Sequence, residues 1–112
     1  MEIITKEYKA LKPNGNKFTD IKCELYYDLG GMNLFTYKEE PRGYYVSVTP
    51  LQREKKEGYT TETYTMCSGY KDCIHVVKRK SKKAEEIAKK AADYRIATLV
   101  QVILNRYGLE LA

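Results

Sequence analysis

Tryptophan is absent from these 112 residues, and only two Phe are present. The large aromatic area resides almost wholly in eleven Tyr. A tyrosine buries its ring but keeps a hydroxyl that wants water or a partner, so the core should be thin, with many rings at its margin. One histidine is too few for a multi-histidine metal centre, and any imidazole-dependent catalysis would have to run through His75. No run of eighteen apolar residues exists, and no apolar stretch follows Met1. Neither a membrane span nor a signal peptide is expected. Three cysteines do not make a secreted disulfide framework, and reduced thiols in a cytoplasmic setting are the expectation.

The chain does carry an excess of positive charge, and that excess is local. The net charge is +5. Nine Lys/Arg and four Asp/Glu lie between Lys71 and Arg95, so this segment alone accounts for +5 and the remainder balances to zero. Within it, Lys78, Arg79, Lys80, Lys82 and Lys83 fill five of six positions. Such a cluster is either a solvated helix face or a contact for phosphate or an acidic protein.

The first two thirds reads as β-structure. Glu2 to Ala10 is β-rich, and Pro13-Asn14-Gly15-Asn16 is a hairpin signal. From Phe18 to Asp28 the pattern has period two. Ile21, Cys23, Leu25 and Tyr27 share one face, and Asp20, Lys22, Glu24, Tyr26 and Asp28 share the other. Gly30-Gly31 interrupts, Met32 to Lys38 resumes extended structure, and Glu40-Pro41-Arg42-Gly43 turns. Tyr44, Val46 and Val48 alternate with Tyr45, Ser47 and Thr49 until Pro50 stops the strand. Leu51 to Gly58 reads as an exposed loop. Tyr59 to Cys67 is the last strand, with Tyr64 and Met66 inward.

The C-terminal third reads as helix. Tyr70 to Tyr107 contains neither Gly nor Pro and is closed by Gly108. Ile96, Leu99, Val100, Ile103, Leu104 and Tyr107 form an apolar stripe at helical spacing. Two starts compete. Ser68 can cap a helix from about Gly69, supported by Ile74, Val77, Ser81, Ala84, Ala88 and Ala91 at heptad spacing, and this is the preferred reading. Ser81 can instead cap a later helix, which makes Cys73 to Val77 a further strand. The predicted fold is therefore α+β in a single domain, 1–112. An antiparallel meander of four to five strands, 1–67, is followed by one long C-terminal helix, 70–107, packed on one face. A helix of that length would span ~57 Å. It would overhang a small sheet and lie against a second copy, which predicts a homodimer.

No catalytic or metal signature stands out. Cys67, Cys73, His75 and Cys23 lack the short Cys-x2-Cys spacing of structural zinc. Met32 and Asn33 follow the glycine pair where a phosphate loop would need Lys and Ser/Thr. A non-enzymatic, cofactor-free chain is expected. The constellation with functional content joins cations to tyrosines on a wet sheet face. Single strands bind where bases stack on rings and cations track the backbone. The candidate contact residues are Tyr26, Tyr45, Tyr59, Lys38 and Arg42 with the basic run Lys78, Arg79, Lys80, Lys82 and Lys83. The expected partner is single-stranded nucleic acid; the alternative is an acidic protein met by the basic helix.

An antiparallel meander followed by a C-terminal helix resembles the Whirly and Pur-alpha class of single-stranded DNA-binding folds, a likeness of topology that implies sheet-borne nucleic-acid contact and dimerisation. Gly30-Gly31-Met32-Asn33, Glu40-Pro41-Arg42-Gly43-Tyr44-Tyr45, Val48-Thr49-Pro50 and Ser68-Gly69 with the basic stretch after them are similar to small proteins of bacterial mobile elements, a likeness that transfers no activity and implies a DNA-associated or host-interaction role.

Overall fold

The computed structural model describes residues 2–11, 18–34, 37–63 and 69–112. Strands β1 (Glu2–Leu11) and β2 (Asp20–Asp28) lead to a two-strand excursion, β3 (Gly31–Met32) and β4 (Glu39–Glu40). The long β5 (Gly43–Lys56), then β6 (Tyr59–Thr63) and β7 (Tyr70–Val76), complete the main run. Helix α1 (Lys82–Tyr107) and the short β8 (Glu110–Leu111) end the chain. The fold is α+β, with every strand pairing antiparallel.

The main sheet runs β6-β5-β2-β1-β8, with β7 also on β5. One edge of β5 takes β2 from Gly43 to Leu51. The other edge is shared: β7 pairs with Gly43 to Val48, and β6 with Gln52 to Lys56. Pro50 does not stop the strand, contrary to expectation. It lies between these two pairings, where a missing N–H costs no ladder bond on the shared edge. The segment expected as a loop after Leu51 is thereby strand.

The faces of β2 alternate as read, except that Asp20, expected on the wet side, is buried. Ile21, Cys23, Leu25 and Tyr27 are buried and join Tyr44, Val46 and Val48 of β5 beneath α1. The helix lays Ala84, Ala88, Ala92, Ile96, Val100 and Ile103 against them. Leu99, Leu104 and Tyr107 pack at the margin, where the Tyr107 ring meets Phe18 edge-on at 4.9 Å. Small residues in the first half of α1 let the backbone approach the sheet closely, and branched ones fill the second half.

The helix does not start near Gly69. Ser81 is the N-cap: its hydroxyl accepts the Ala84 N–H at 3.0 Å. Residues 70–76 are strand β7 instead. The heptad through Ile74 and Val77 loses to an available sheet edge, because β-branched side chains on β5's open edge gain a full ladder of backbone bonds. Twenty-six residues give a helix of ~39 Å, against a longest molecular dimension of 43 Å. The overhang expected for a longer helix does not arise, and Ala84 and Ala88 of the heptad are buried against the sheet of their own chain. Gly108 ends the helix in left-handed conformation, φ 63°, with its N–H on the Leu104 carbonyl. The Pro13–Asn16 turn, the Ser68 cap and the inward placement of Tyr64 and Met66 lie outside the described residues.

Candidate nucleic-acid interface

The sheet face away from α1 carries Tyr26 and Tyr45, as expected, but not as an open platform. Tyr26 is half-buried and stacks on Tyr45 at 5.9 Å with the planes 16° apart. Tyr45 is only 3% exposed. Its hydroxyl donates to the Pro41 carbonyl at 2.5 Å, and the Lys71 ammonium sits 4.8 Å from its ring centre. That ammonium is held by Glu40 at 2.7 Å. Burial drives the Tyr45 hydroxyl's pKa well above the usual tyrosine range, with the Cys73 thiol beside it adding to the effect. The ring expected to be wet is roofed over. Tyr59 is 60% exposed, but it pairs with Lys56, eleven residues along β5 from Tyr45. At ~3.3 Å per residue the two rings are roughly 35 Å apart along the strand and cannot share a platform.

The remainder of this face is a closed charge lattice. The Arg53 guanidinium contacts both Glu7 oxygens at 2.6 Å, Glu62 at 2.7 Å and the buried Asp20 at 3.3 Å. Lys9 reaches Asp20 at 2.8 Å, and Lys22 meets Glu24 at 3.6 Å. Burial alone would raise the Asp20 carboxyl; the Lys9 hydrogen bond and the nearby cations outweigh it and hold the group below the usual aspartate range. Cations satisfied in this way have little left for phosphate.

The basic run behaves differently. Lys78, Arg79 and Lys80 lie in the link from β7 to α1, and Lys82 and Lys83 open the helix; all five are exposed. Among the described residues none of the five forms an ion pair. Lys80 rests its ammonium 5.1 Å from the Tyr27 ring centre. Arg42, remote in sequence, joins the group. Its guanidinium donates to the Lys78 carbonyl and to the Leu29 carbonyl, both at 3.4 Å, and its own carbonyl accepts the Val77 N–H at 3.1 Å. Six cations thus form a collar at one end of the sheet. Arg42 was legible as a candidate, but its junction with Lys78 was not, because a separation of 36 residues is bridged only by β5–β7 pairing. Lys38 sits apart from the collar, at the far end of the β3–β4 hairpin, where its carbonyl accepts the Asn33 N–H at 2.8 Å.

His75 and Cys73 fall on opposite faces of the sheet. His75 stacks on Tyr44 under the helix at 6.2 Å, while Cys73 neighbours Tyr45. They do not form a nucleophile–base pair. Among the described residues no group of three or more His, Cys, Asp or Glu is arranged to hold a metal. Among the described residues no helix is long and apolar enough to cross a membrane. Comparison with protein-family models, with curated proteins and with solved structures finds no match.

Proposed function

We propose that this chain is a non-catalytic nucleic-acid-binding module, suited to single-stranded DNA, that grips the phosphate backbone with the collar of Arg42, Lys78, Arg79, Lys80, Lys82 and Lys83. The observation that carries this reading is the placement of Lys82 and Lys83 in the first turn of α1. A helix N-terminus already bears partial positive charge, so cations there work against stability. Three more cations immediately precede them, and carboxylates pair with none of the five among the described residues. A cluster of cations that carboxylates leave unpaired is accounted for by an external polyanion. Backbone N–H groups at the same terminus add to its attraction for phosphate.

The collar is complete within one chain, so this reading needs no second copy. The thiols of Cys23 and Cys73 are unbridged, which agrees with a reducing cytoplasmic setting. The test is anisotropy of a labelled oligothymidylate across a salt series. Four to six phosphate contacts predict a log–log slope of about −3 to −4 for a single strand. The quadruple variant Lys78→Gln, Arg79→Gln, Lys82→Gln, Lys83→Gln should flatten the slope to about −1.4, the value for the two remaining cations. Absence of binding at low salt overturns the proposal.

A further inference from the structure

Ten large hydrophobic side chains are exposed among the described residues, and four of them, Leu29, Met32, Leu34 and Tyr37, fall within nine positions. The rest are scattered singly, which is ordinary. A concentrated patch on a small chain marks a contact. The four line the β3–β4 hairpin, whose base is fastened to the collar through the Arg42–Leu29 hydrogen bond.

The described residues of the hairpin are fastened at both ends. Gly30, at φ 78°, lets the chain enter, and a Cβ there would strike the Glu40 and Arg42 backbone. Its N–H is fixed by the Asp28 carboxylate at 2.7 Å. At the far end the Tyr37 N–H donates to the Asn33 carbonyl at 2.8 Å, and the Asn33 amide donates to Glu40 at 2.7 Å. Tyr37 is the one non-glycine residue with positive φ among those described, 56°, and its side chain is 82% exposed. A left-handed tyrosine is strained, and strain retained at an exposed ring is a reason to look for a use.

We infer that Tyr37 is the base-stacking ring of this protein, flanked by Leu34 and Met32 and supplied with single-stranded nucleic acid by the collar. The inference rests on the collar reading and assigns the stacking role expected of Tyr45 to a ring that is open. From base to tip the hairpin spans about five residues, roughly 16 Å, a distance that two to three nucleotides of an extended strand cover. Charge complementarity selects the occupant. A single strand offers phosphates to the cations and unpaired flat bases to the ring. A lipid surface would have to accept Glu39, exposed two residues from Tyr37, into its interface.

The experiment compares oligothymidylate with an abasic deoxyribose-phosphate strand of equal length, for the native chain and for Tyr37→Asn and Tyr37→Phe. Asn tolerates left-handed φ, and thermal melting checks that the variants fold. The native chain should bind the thymidylate about 5- to 100-fold tighter than the abasic strand. Tyr37→Phe should keep that preference, Tyr37→Asn should abolish it, and the salt slope should be unchanged in both. Equal binding of the two strands by the native chain overturns the stacking role and leaves the collar standing. Binding of neither strand overturns the collar reading and this inference together. So does Leu34-dependent binding to phosphatidylglycerol vesicles in the absence of strand binding, which would make the hairpin a membrane probe.

Discussion

Replacing Arg53 by Met tests whether the sheet's open face is held by charge. The guanidinium joins three carboxylates from three strands: Glu7 of β1, Asp20 of β2 and Glu62 of β6. Glu7 and Glu62 are 38% and 40% exposed, so each of those pairs contributes at most about 0.5–1 kcal/mol after solvent screening. Asp20 differs, because its side chain is only 2% exposed. Breaking a buried pair outright costs about 3–5 kcal/mol. Lys9 remains as a partner for Asp20, which reduces that share to roughly 1–2 kcal/mol. Met preserves the apolar stem and its packing. The expected loss at pH 7 is about 2–4 kcal/mol, a fall in melting temperature of roughly 8–20 °C for a chain of this size.

The pH dependence gives the refutation its edge. The Arg53 hydrogen bond holds Glu7 below its ordinary value, and Asp20 is also held low despite its burial. Depressed carboxylates add stability that is full above their unfolded-state values, about 4, and is lost as pH falls through the lower folded-state values. The gap between native and Arg53→Met proteins should therefore be widest near neutrality and close below about pH 4. Urea titrations at pH 7 and pH 3 measure it. A variant within about 0.5 kcal/mol of native at pH 7, or a gap that persists unchanged into acid, refutes the lattice.

Three further outcomes follow from single contacts. Ser81→Ala should cost about 1 kcal/mol in thermal or urea unfolding, since the cap on the Ala84 N–H is lost. Ala88→Leu should cost about 1–3 kcal/mol, because Ala88 is fully buried between α1 and the sheet and the added volume has nowhere to go; a neutral result would mean that the helix does not seat there. Burial pushes the Cys23 thiol up to about 12, so peptide mapping after iodoacetamide treatment of the native protein at pH 8 should find Cys23 unmodified.

Periodicity alone was enough for β2, for the Tyr44–Val46–Val48 face of β5 and for the distal stripe of α1, because each is a local pattern facing one core. The misreadings share a cause. Residues 70–76 take strand form because β5 presents them an edge, with Tyr44 opposite His75 and Val48 opposite Tyr70, and no local pattern announces a partner more than twenty residues away. Pro50 is tolerated for the same non-local reason. Tyr45 alternates onto the wet face as read, yet Pro41, Lys71 and Glu40 close over it from outside its own strand. The cations of the candidate site were visible as composition. The exposure of Tyr37 depends on a hairpin shaped by Gly30 and Asn33, and period-two reasoning does not reach it.

The packing of the rest of the molecule bears on the docking end proposed above. One face of the sheet is sealed by α1, whose inward row runs from Ala84 to Ile103. The other face is occupied by ion pairs that answer one another and by a stacked tyrosine pair with its hydroxyl already bonded. The described residues of these two faces pair most of their charge and bury most of their apolar area. The outer face of α1 exposes Ile87, Tyr94 and Val102, spread over sixteen positions, and the two ends of the sheet remain beside it. At one, the β5–β6 turn carries Glu54, Lys55, Lys56 and Glu57, which cancel. At the other, six cations gather around the start of α1, beside a hairpin that exposes Leu29, Met32, Leu34 and Tyr37. Uncompensated charge and uncovered apolar surface both cost a folded chain solubility or stability. Their meeting at one end supports the proposed reading, under which the partner there would carry two properties: a row of negative charge, and flat apolar groups within a hairpin's length of that row.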